Sequence, residues 1–150
     1  MKHTIISSVT TVITLCIIIF AVSAFFISNE RFIGFVLLVL FGVCLLALIP
    51  FHISLRAIQP DIIFGVIDNG ILAILAVIGG EIAGIQGAII GGVVGNAITD
   101  GIAGLFEGYS AERLKKRNIN DHRTIIGSAI GKMSGCLLGA GGVLVIASFW

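Results

Sequence analysis

From Thr4 to Ser28, and again from Phe32 to Leu55, the chain carries no Asp, Glu, Lys or Arg. An α-helix needs about 20 apolar residues to cross the hydrocarbon core of a bilayer. At that depth a backbone can satisfy its amides only inside a helix or a closed barrel. Two such runs placed back to back leave few folds open. Three further stretches, Ile62–Gly80, Ala83–Tyr109 and Thr124–Trp150, are also long and apolar enough to qualify. The expectation is an all-α, polytopic integral membrane protein: one transmembrane domain over residues 1–150, with five helices at about 4–28, 32–55, 62–80, 83–109 and 124–150. Composition agrees with this, since 57% of the residues are apolar and 11% charged, against about 25% charged in a soluble domain. The mean hydropathy is +1.15.

The first run has the basic start and the small-residue ending, Ala21 to Ala24, of a cleavable signal peptide. The apolar residues continue through Phe25, Phe26 and Ile27, however, which is long for a signal h-region, so the segment is read as an uncleaved first helix. The intervening loops are too short for a soluble domain. A net charge of +1 and the absence of a basic patch give no field for nucleic acid. Cys16, Cys44 and Cys136 lie far apart in apolar stretches and read as small buried hydrophobes. No phosphate loop, zinc motif or catalytic triad spacing is present, and no enzymatic activity is expected.

Glycine divides the chain. Of its 20 glycines, only Gly34 and Gly42 precede residue 65. Gly87, Gly91 and Gly95 repeat every four residues in the fourth helix, and Gly127, Gly131, Gly135 and Gly139 do so in the fifth. Stripes of this kind let membrane helices approach closely, because lipid supplies no hydrophobic drive between them. The partner helix could belong to the same chain, to a second copy or to another membrane subunit.

The basic residues give an orientation. With five alternating helices, Lys2, Arg56, Arg113, Lys115, Lys116, Arg117 and Arg123 fall on one side and Arg31 alone on the other. The positive-inside rule then puts the N-terminus in the cytoplasm and the C-terminus outside, in a multi-pass cell-membrane protein.

Polar groups inside the helices are the candidates for function, because a charge at the bilayer centre costs about 2.5–3.5 kcal/mol on insertion scales. They are Asp68, Asn69, Asn96, Asp100, Glu107 and Lys132. At about 1.5 Å of rise per residue, all the charged members lie in the inner half or near the midplane. Gly92, Asn96, Asp100, Ala103 and Glu107 fall on one stripe of the fourth helix, which Ser110 continues. Ser128, Lys132 and Cys136 form a face beside the glycine stripe of the fifth. Carboxylate and amide oxygens in this pattern suit a pathway for protons or a hard divalent cation. They equally suit a structural network in which Lys132 pairs with Asp68 or Asp100 and the asparagines bond across helices. Glu81 and Gln86 mark an outer turn, and His3, His52 and His122 lie at helix ends. Pro50 is expected to kink the second helix and Trp150 to anchor at the outer interface.

The segments "FGVIDNGILAI" and "TDGIAGLFEGYSAERLKK" resemble the paired helices of vacuolar-iron-transporter-like proteins over Asp61 to Arg117. The positions that correspond are Asp68, Asp100 and Glu107, with Glu112 in the charged extension. The resemblance implies movement of Fe²⁺ or Mn²⁺ as substrate across a membrane, against protons. Two function classes follow from the sequence: a small transporter for a divalent metal or coupled to protons, and a non-catalytic accessory subunit of a larger membrane complex.

Overall fold

A computed structural model describes residues 2–27, 30–117 and 124–149, with side chains described for 5–27, 32–105 and 124–149. The described chain is helical throughout: α1 (Lys2–Phe26), α2 (Glu30–Leu46), a 3₁₀ turn (Ile49–Phe51), α3 (Leu55–Arg117) and α4 (Ile125–Ala147). All four α-helices contain stretches long and apolar enough to cross a membrane. Large apolar side chains such as Phe20, Phe25, Ile82, Ile85 and Leu105 point outward. Exposure of apolar surface on this scale suits a lipid environment.

Helix α2 stops at Leu46, short of the sequence boundary at 55. Pro50 lies within the 3₁₀ turn and so marks a stop rather than a kink. His52 takes a left-handed conformation (φ 53°) just after it, and the chain reverses. The next helix then begins at Leu55, well before residue 62, and carries Pro60 inside its early turns.

Helix α3 is a hairpin. Its regular backbone breaks at Ala83 (φ −137°, ψ 23°) and Gly84 (φ 60°, ψ −142°), which separates a first arm, 55–82, from a second arm, 85–117. Only glycine adopts the Gly84 conformation without strain. The Gly79-Gly80 doublet, at the expected end of the third helix, lies within the first arm, and Gly79 packs backbone to backbone against Gly87. Below them Leu75 meets Gly91, and Leu72 meets Gly95, where an added methyl would stand 2.7 Å from the Leu72 Cα. Positions rise on one arm as they fall on the other, so the arms run antiparallel.

Helix α4 is the centre of the molecule and touches α1, α2 and α3. Its glycine stripe faces the first arm: Gly131 lies against Ile58 and Asp61, Gly135 against Ile62 and Gly65, and Gly139 against Val66 and Gly70. Here positions rise together, so the first arm and α4 run parallel. The opposite side of α4 carries Gly141, packed on Gly34, Leu37 and Leu38 of α2. Leu40, Cys44 and Leu48 join Ile58, Ile126 and Ile130 in the buried core between these helices, with Leu15 contributed by α1. The second arm of α3 stands apart. Its described part leans on the first arm and is otherwise exposed at Ile89, Ile90, Val93 and Ile98.

Candidate functional site

Asp68, Asn69, Thr99 and Cys136 meet along the first arm of α3, which packs on the second arm on one side and on α4 on another. Asp68, on the first arm, accepts a hydrogen bond from Thr99 Oγ1 on the second arm and one from Asn69 Nδ2 at 3.2 Å. Asn69 Nδ2 also lies 2.6 Å from Cys136 Sγ on α4. The Thr99 hydroxyl is 3.1 Å from both the Gly95 and Asn96 carbonyls, but its shortest contact is with the Asp68 carboxylate. One carboxylate thus touches all three packed helical segments, directly or through Asn69. Its protonation state matters to that geometry: an ionised carboxylate only accepts, whereas a protonated one must donate with one oxygen.

Asp68 and Thr99 also border a groove of about 440 Å³ whose other walls include Pro60, Ile63, Phe64 and Ile67. The Lys132 ammonium lies over the Phe64 ring, 4.9 Å from its centroid. That is within the range of a cation–π contact.

Asn96 and Asp100 have a different environment. They share a face, as their spacing requires, and Asn96 Nδ2 donates to Asp100 Oδ2 at 2.8 Å, but both are exposed. The buried line of the second arm runs one residue earlier, through Gly87, Gly95, Thr99 and Ala103. Gly91 lies on the same line. Continuing the glycine repeat of this arm by four residues reaches Thr99, and that is the signal by which the sequence could have identified it. The side chains of Glu107, Ser110, Arg113, Lys115, Lys116 and Arg117 lie outside the described residues, as do Arg123, His122 and Trp150 altogether.

A second carboxylate is buried nearer the start of α4. Asp61, just before the expected start of the third helix, is only 3% exposed and accepts a hydrogen bond from Ser128 Oγ at 3.0 Å. Among the described residues, no three His, Cys, Asp or Glu side chains converge in a way that could hold a metal ion.

No family model, curated protein or solved structure matches the chain.

Proposed function

We propose that the chain is a small integral membrane transporter that couples passage of a cation to protonation of Asp68. The observation that carries this is the position of Asp68: it lies at the junction of both α3 arms and α4, beside a groove with few polar groups. A mostly apolar pocket with a few convergent polar groups is the ordinary form of a small-ligand site. Ionisable residues at bilayer depth commonly mark ion paths or proton relays. Protonation of Asp68 would turn one acceptor oxygen into a donor and weaken its bond from Thr99 or from Asn69; weakening the Thr99 bond would loosen the contact between the two arms.

The arrangement proposed in the membrane has five crossings, with the two arms of α3 counted separately. The N-terminus is cytoplasmic and the C-terminus outside, and glycine faces pack the last three crossings around the polar set. Fe²⁺ and Mn²⁺ are the first substrates to try, on the strength of the sequence resemblance. Asp68 and Asp100 have separate surroundings, which favours proton carriage by Asp68 over a ligand shell shared between them. The decisive measurement is Mn²⁺ and proton flux in proteoliposomes. Asp68→Asn should abolish both while the protein remains monodisperse, and undiminished flux would refute the proposal.

A second role, as a subunit of a homo-oligomer or a larger membrane complex, is supported by the Asn96–Asp100 pair. At membrane depth these groups would face lipid in a monomer, and a helix from a partner would remove that cost. Gentle purification that yields the chain alone as a monomer would count against it.

A further inference from the structure

We propose that a polar pocket beside the start of α4 is the cytoplasmic intake through which protons reach Asp68, with Asp61 as the first acceptor. This rests on the transporter function proposed above and adds the route.

The pocket has a volume of about 340 Å³, and His52, Ser54, Asp61, Thr124 and Ser128 contribute to its walls. A water molecule occupies about 30 Å³ of liquid and needs two to four polar partners to be held. The pocket meets both conditions, unlike the groove beside Asp68, where few polar groups are available. Asp61 is the deepest of these groups. It is almost wholly buried yet borders the pocket, so its carboxylate lies between the pocket and the packed interface of the first arm with α4.

From Asp61 inward the two helices keep one register. Asp61 bonds to Ser128, Gly65 packs on the Lys132 carbonyl and Asn69 bonds to Cys136. The separation is 67 residues in the two hydrogen-bonded pairs. Asp61 and Asp68 are seven residues apart on the first arm, about two turns or 10 Å along its axis. Phe64 lies between them in sequence, and the Lys132 ammonium lies over its ring. The charged groups along this line are therefore Asp61, Lys132 and Asp68, with His52 at the pocket wall.

A proton can pass along this line with every group restored. The ammonium of Lys132 gives a proton to the Asp68 carboxylate and becomes a neutral amine. Protonated Asp61 reprotonates that amine, and a hydronium ion arriving through the pocket reprotonates Asp61 and is left as water. One proton enters from the pocket and one arrives at Asp68.

The test uses Ser128→Cys in the otherwise native chain, reconstituted in vesicles, with the parent chain treated identically as the control. The reagent is a membrane-impermeant cationic methanethiosulfonate, applied from the cytoplasmic side. Proton uptake is read with an internal pH dye under an imposed membrane potential and Mn²⁺. The expected result is that the thiol reacts and that uptake falls at least tenfold. An unreactive thiol overturns the intake whatever the transport assay shows, and so does a modified thiol with undiminished uptake. Asp68→Asn separates the two levels. If it leaves uptake intact, the transporter proposal itself fails. If it abolishes uptake while the pocket modification has no effect, only the route fails.

Discussion

Thr99, on the second arm of α3, donates a hydrogen bond to the carboxylate of Asp68 on the first. It is the described side-chain bond that joins the two arms, and it lies on the same line as the glycine contacts that let them touch. Thr99→Val keeps the shape and removes the donor. The carboxylate then loses a partner, and a lost hydrogen bond to a charged group costs about 1.5–3 kcal/mol. Thr99→Ser should retain the bond. The check is thermal stability in detergent together with flux: Val should lower both, and Ser should stay near the parent.

Gly84 is the hinge of the hairpin. A methyl there would meet no atom within 4 Å, so any penalty of Gly84→Ala comes from the backbone alone. Residues forced into sparsely populated backbone regions cost about 1–3 kcal/mol. The alanine variant should therefore be destabilised by about that amount, as measured by denaturation in mixed micelles. Unchanged stability would mean the turn adopts another conformation.

Glycines in the helix contacts and glycines that face away from them should differ in their tolerance of substitution. A methyl at Gly135 would run into the Ile62 carbonyl oxygen and stand 3.0 Å from the Gly65 Cα, whereas one at Gly101 would meet nothing within 4 Å. Gly135→Leu should lose folded protein, since overpacking costs about 1–3 kcal/mol and here the opposing atoms are backbone. Gly101→Ala should be neutral or slightly stabilising within the isolated chain, because glycine inside a helix is worse than alanine by about 0.5–1 kcal/mol.

Asn96 and Asp100 give a prediction about assembly. If a second copy or another subunit covers this pair, replacing both by leucine removes the polar contact without leaving a polar group in lipid. The double variant should remain folded and run at the monomer position in mild detergent where the parent does not. A parent that is already monomeric would exclude the assembly.

How much was legible in the sequence can be judged residue by residue. The apolar runs could be read because lipid imposes a minimum length and tolerates few charges. The glycine repeats could be read because close approach demands small residues at fixed spacing. The turn of the hairpin was harder. Gly79-Gly80 looks like punctuation, but those residues serve contact with the second arm, and the chain turns at Ala83 and Gly84 instead. On the second arm, the conspicuous Asn96 and Asp100 drew attention one position away from the buried line that holds Thr99. Asp61 is hidden for a related reason: in sequence a carboxylate beside a proline at a helix start looks solvated. Its burial depends on α4, a partner distant in sequence that no local pattern shows.

That dependence bears on how the protein is made. Asp61 and Asn69 are synthesised 67 residues before Ser128 and Cys136, the groups they bond on α4. Until the last helix is made and packed, Asp61 and Asn69 lack these two bonds, and the seam for α4 is uncovered. Arrival of α4 supplies both bonds and fills the seam with glycine. A truncated product ending before Thr124 would keep its apolar helices yet expose that seam.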